Sequence, residues 1–77
     1  MAYPNPARGQ ISLRLQEQEG TPVEVSIYTI AGQLLRRTEA SYADGMSVSL
    51  EGIPAGQYLL QAQGQDGRLV QRIQIMP

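Results

Sequence analysis

The sequence predicts an all-β domain, a sandwich or barrel of short strands, and three observations carry that reading. Apolar residues alternate with polar ones in a series of short runs. Gly- and Pro-containing breakers fall between those runs. No stretch of useful length keeps the period of about 3.6 residues that a helix needs.

Taken in order, the chain opens with a lead-in over residues 3–9 that contains Tyr3-Pro4-Asn5-Pro6. Each proline lacks a backbone donor and restrains the residue before it, so this piece cannot be helix or central strand. It is expected as an extended or turning segment with Tyr3 against the sandwich edge. In the first run Ile11, Leu13 and Leu15 alternate with Ser12, Arg14 and Gln16, the period of a half-buried strand. After Glu19-Gly20-Thr21-Pro22, a second run sets Val23, Val25 and Ile27 to one side and Glu24 and Ser26 to the other. A third, Gln33 to Thr38, follows the loop Ile30-Ala31-Gly32, where Gly32 is expected in the left-handed position of a bulged turn. That register faces Ile27 with Leu35 on the core side. It sets Tyr28 beside Leu34 on the opposite face, as a small exposed or covered patch.

Tyr42 reads as loop. Beyond Asp44-Gly45, a fourth run alternates Met46, Val48 and Leu50 with serines, and Ile53-Pro54-Ala55-Gly56 leads into a fifth with Tyr58, Leu60 and Ala62. The sixth runs from Leu69 to Met76. Asp66-Gly67 between them is expected as a two-residue type I′ turn, with positive φ at both positions. This pairs Gln65 with Arg68, Leu60 with Ile73 and Tyr58 with Ile75, and puts Gln61 and Arg72 together on the other face. The last run nearly reaches the terminus, so the C-terminus is expected to be ordered and to offer a strand edge to a partner.

At 77 residues the chain is read as a single domain, 1–77. Six arginines and seven acidic residues are scattered and leave a net charge of -1. No basic block is present to track nucleic acid, and no cationic amphipathic stretch or long apolar run points to stable membrane insertion. His, Cys, Lys, Phe and Trp are absent while Gln occurs ten times, which removes most nucleophilic and metal-assisted mechanisms. No catalytic, cofactor-binding or metal-ligating residue is therefore expected, and the chain is not read as an enzyme. Asp44 and Asp66 read as turn residues, and Ser41, Ser47 and Ser49 have no histidine to activate them. Arg36-Arg37 reads as a solvated strand end rather than a phosphate site.

Over Tyr3 to Pro77 the sequence resembles the C-terminal sorting domains of the type IX secretion system of Bacteroidota. The residues that carry the resemblance are Tyr3-Pro4-Asn5-Pro6-Ala7, then Val25-Ser26-Ile27-Tyr28 followed by Gly32 and Leu35. Leu50 with Ile53-Pro54-Ala55-Gly56-Gln57-Tyr58 and a β-rich terminus complete the set. The sorting-motif positions are Tyr3, Pro4, Asn5, Pro6, Gly32, Gly56 and Tyr58. The chain departs from the family at Thr29, where Asp is common, at Gln57, where an aliphatic residue is common, and at Arg72, where Lys is favoured.

The resemblance implies an immunoglobulin-like antiparallel β-sandwich of six to seven strands, the seventh expected near Ser41–Tyr42. It also implies a secretion signal for a fused N-terminal cargo that crosses the periplasm and passes through the outer-membrane translocon. A sortase then removes the domain and leaves the cargo on the cell surface or outside. On this reading Met1 and Ala2 are expression-derived and the chain is the tail of a longer precursor. Gln71, Arg72, Ile73, Gln74, Ile75, Met76 and Pro77 are the expected recognition segment, and their open edge would permit a strand-swapped homodimer. The rival readings are a retained immunoglobulin-like adhesion or spacer module, and a carbohydrate-binding module built on tyrosines such as Tyr28.

Overall fold

The computed structural model describes residues Met1–Pro77, as seven strands and no helix. These are β1 (Ala2–Arg8), β2 (Gln10–Leu13), β3 (Pro22–Thr29), β4 (Leu34–Ser41), β5 (Met46–Ser49), β6 (Gly56–Gln63) and β7 (Arg68–Ile75). They run in the order β4-β3-β6-β7-β1-β2-β5. β1 belongs to both layers of an immunoglobulin-like sandwich. Its first residues, Ala2 and Tyr3, pair with Leu13 and Ser12 of β2, while Ala7 pairs with Ile75 of β7. Every strand pair is antiparallel except β1–β7.

The alternation seen in the sequence sets the core. Ile11, Leu13 and Val48 from the smaller sheet meet Val23, Val25, Ile27, Tyr58, Leu60, Ala62, Ile73 and Ile75 from the larger one. Ala2 and Ala7 of β1 close one side. Small side chains suit them to the place where the two sheets share a strand. The seventh strand is thus β1 itself, not a separate one near Ser41–Tyr42, because Ser41 ends β4. The Tyr3-Pro4-Asn5-Pro6 piece, expected not to be a central strand, is one: β1 lies between β7 and β2, with its ladder to β2 interrupted between Tyr3 and Arg8.

Both expected hairpins form with changed registers. In the β6–β7 hairpin Tyr58 faces Ile73, Leu60 faces Gln71, Leu59 faces Arg72 and Gln61 faces Val70. The slip is two residues, so every side chain keeps its expected face. No type I′ turn forms, since neither Asp66 nor Gly67 has positive φ. Instead Gly64 to Gly67 make a wider loop, with Gly64 N–H donating to Gly67 O at 2.9 Å. The cause lies elsewhere in the chain: the Glu17 carboxylate accepts from the N–H groups of Gln65 at 3.1 Å and Asp66 at 3.0 Å.

In the β3–β4 hairpin Tyr28 faces Leu34 and Gly32 has φ +96°, as the spacing predicts. A bulge then makes Arg36, not Leu35, the partner of Ile27. Leu35 is left 41% exposed instead of entering the core. The edge strands are β4 and β5, and β7 is flanked on both sides, so the terminal strand is not the open edge the sequence implied. Tyr42, expected in a loop, is buried, and its hydroxyl donates to Leu15 O at 3.0 Å and accepts from Leu15 N–H at 2.9 Å.

Candidate functional site

β1 must join β7 although Pro4 and Pro6 bring no donors. Two side-chain amides make the join. The Asn5 carboxamide donates through Nδ2 to Arg72 O at 3.1 Å, and its Oδ1 accepts from Gln74 N–H at 2.8 Å. Reciprocally, Gln71 Nε2 donates to Ala2 O at 2.9 Å and its Oε1 accepts from Ala2 N–H at 3.0 Å. Each amide presents one donor and one acceptor, as a backbone residue in a ladder does. Met76 N–H then donates to Ala7 O at 2.8 Å, which fixes the end of the chain. The expected recognition segment is therefore bound to β1 from Gln71 to Met76, through Ala2, Asn5 and Ala7.

Two further motif residues, Gly56 and Tyr58, flank the same strand. Gly56 pairs with Ile75 and Tyr58 with Ile73, on the side of β7 away from β1. Gly56 has φ +149°, a backbone conformation that disfavours any side chain. The Tyr58 hydroxyl donates to Pro54 O at 2.6 Å, the tyrosine corner of immunoglobulin-like sandwiches. Thr29 stands opposite Tyr58, and its hydroxyl accepts from Gln33 N–H at 3.0 Å beside Gly32. An Asp oxygen at position 29 could accept the same bond, so the departure at Thr29 preserves the turn.

Tyr3 faces away from this cluster. Its ring carries the Arg14 guanidinium 5.9 Å from the centroid, and Arg14 pairs with Asp44 at 3.0 Å. Hydrogen bonding and attraction to Asp44 raise the Arg14 pKa further above its ordinary value. Of the motif positions, Asn5, Gly56 and Tyr58 thus lie beside β7, whereas Tyr3 pairs with Ser12 of β2 and Gly32 sits in the β3–β4 turn. Residues 1–76 match the model of the secretion-system C-terminal sorting domains. The chain belongs to this family. Its members mark proteins for type IX secretion across the outer membrane to the cell surface or beyond. No curated protein matches the chain.

Two surface depressions stand out on the sorting domain. The larger, about 890 Å3, runs past Arg14, Glu17, Tyr42, Asp44 and Asp66. Within it Arg14 pairs with Asp44, and the Glu17 carboxylate caps the loop backbone. The smaller, about 360 Å3, is a polar cleft lined by Asn5, Pro6, Gln57, Arg72, Ile73 and Gln74, directly over the clamp. No group of three or more His, Cys, Asp or Glu side chains is placed to hold a metal ion, and no helix is long and apolar enough to cross a membrane.

Sequence reasoning missed Gln71 as a clamp, Glu17 as a loop cap and Tyr42 as a core residue. Gln71 had a signal: in the series Leu69, Gln71, Ile73, Ile75 it is the polar residue at an inward position. An inward amide in an otherwise apolar series implies a backbone partner. Glu17 and Tyr42 bind across the fold and leave no comparable local trace.

Proposed function

We propose that this domain is the signal that commits a cargo fused to its N-terminal side to the type IX outer-membrane translocon, and that a sortase of that system then removes it. The family match over residues 1–76 is the observation that carries this reading. The side-by-side placement of the Tyr3-Pro4-Asn5-Pro6 motif and the segment Gln71 to Pro77 supports it further. On this reading the two segments form one composite element. The Pro-Asn-Pro stretch fixes the terminal strand, and the outward side chains Arg72 and Gln74 face the machinery. The domain is a non-catalytic module and is itself the substrate of the removal step.

A periplasm-targeted fluorescent reporter fused to the domain, expressed in a bacterium with a type IX system, tests this. Reporter on the surface or in the medium, shortened by the mass of the domain, is the expected result. Reporter retained in the periplasm with the domain intact, while a known signal works in parallel, would favour a retained adhesion or spacer module. Deleting all of Gln71 to Pro77 would remove Ile73 and Ile75 from the core. Recognition by the terminal segment is therefore tested by removing Met76 and Pro77 and by Gln74→Ala, each in a domain shown to remain folded. Full export of all these variants would exclude Gln74, Met76 and Pro77 as the recognised part.

The carbohydrate reading is left with Tyr28 as its outer-face tyrosine. Tyr42 and Tyr58 are buried, Tyr3 is covered by Arg14, and Tyr28 is half-buried in a row of aliphatic side chains.

A further inference from the structure

The outer face of the larger sheet is built unlike the rest of the surface. Across β4, β3, β6 and β7 the register aligns Leu34, Tyr28, Leu59 and Arg72 in one row. Leu34 is 42% exposed, and Val70, which faces Gln61 in the neighbouring row, is 54% exposed. β7 borders this apolar strip with a column in which Arg68 and Arg72 flank Val70, all three exposed. The molecule's ion pairs are Arg14–Asp44 and Arg37–Glu24, so both arginines of the column are free. Four residues apart on a strand, they stand about 13–14 Å from one another. Arg72 ends the apolar row, while Arg68 lies two rows on, in line with Gln63, Glu24 and Glu39, so the face carries its unpaired cations along β7 and its carboxylates along β3 and β4.

Resting on the sorting reading above, we infer that this face is the docking surface for a protein component of the export machinery. Its partner surface presents an apolar ridge bordered by carboxylates about 13–14 Å apart. Charge complementarity with Arg68 and Arg72 fixes the sign of the border, and the strip Leu34–Tyr28–Leu59 requires the ridge. An anionic polysaccharide would satisfy the arginines and leave the strip in water, so a protein fits the face better. The face is also continuous with the polar cleft at Asn5, Gln57 and Gln74, which places the clamp at its margin.

The test uses the reporter–domain fusion in a type IX bacterium, with thermal unfolding of each isolated variant alongside. Tyr28→Thr with Leu59→Thr, and separately Arg68→Glu with Arg72→Glu, should each lower exported reporter by about tenfold or more at an unchanged unfolding midpoint. Arg68→Lys with Arg72→Lys should restore most export, since a positive charge is retained. Ser47→Glu, on exposed β5 of the smaller sheet, should export as the parent. Where a double variant does not hold the parent midpoint, Leu59→Thr and Arg72→Gln are read singly. Full export of folded variants of both kinds overturns the inference and leaves the sorting reading intact. Loss with the Glu variants alone, the Thr variants exporting fully, also overturns it and favours an anionic polymer. A parent domain that is not exported while a known signal is exported overturns the sorting reading, and this inference falls with it.

Discussion

Asn5 sits between two prolines, and its carboxamide gives β7 the donor and the acceptor that a neighbouring strand would give. Asn5→Ala should cost about 1 kcal/mol, a net hydrogen-bond contribution for partners that water can still reach. For a domain of this size that lowers the unfolding midpoint by about 4–8 °C. Hydrogen exchange should speed up at the Gln74 amide and stay slow at Leu60, and equal protection at Gln74 in both proteins would exclude the clamp. The two buried tyrosines should rank differently. The Tyr42 hydroxyl serves both backbone groups of Leu15, whereas the Tyr58 hydroxyl serves only Pro54 O. Tyr42→Phe leaves a donor and an acceptor unmet and should cost about 1–3 kcal/mol, more than the roughly 1 kcal/mol of Tyr58→Phe. Urea titration of both variants gives the order directly.

At the scale of elements, β4 is the weakly held strand. Not one of its eight residues is buried, and only Arg36 is half-buried. Glu39 stands directly opposite Glu24, a like-charge pair that costs sheet stability. Glu39→Thr removes the repulsion and adds a β-former, and should raise the urea midpoint by the equivalent of about 0.2–1 kcal/mol at unchanged m value. Arg36 holds β4 over the smaller sheet. Its guanidinium donates to Ser49 O at 3.0 Å and to Glu51 O at 2.5 Å, spanning the gap between the two edge strands. Arg36→Ala should therefore accelerate exchange in β4 and the segment after β5 together, while leaving β6 protected. An effect confined to β4 would show that the bridge does not couple the two edges. The bulge beside Leu35 and the charges of β4 also blunt the free edge against pairing with another chain.

For the whole molecule, the core is small and shared between the layers, so a single deletion in it is felt everywhere. Leu60 is fully buried on the central strand β6, and Leu60→Ala should cost about 2–5 kcal/mol. Native domains hold roughly 5–15 kcal/mol, and one of this size lies at the low end. The variant should be substantially unfolded under mild denaturant where Asn5→Ala remains folded. Comparing the two as reporter fusions separates a signal that fails because the fold is lost from one that fails because β7 is loosened at its β1 side.

All-β class, the runs that became β2 to β7, the inward faces and the Gly32 turn were determined by the sequence alone, because alternation and turn chemistry act between near neighbours. The family was legible too, since its motif lies in short ordered stretches. Only the tertiary structure decided the registers. The β6–β7 loop widened to meet Glu17, and a bulge moved Leu35 out of the core. It alone also placed β1 beside β7, which turned an expected free edge into a clamped internal strand. The widened loop and the clamped strand each depend on a side chain meeting a backbone group dozens of residues away. Local pattern can show that Gln71 or Asn5 must find a partner, and only the folded chain can bring that partner within hydrogen-bonding distance.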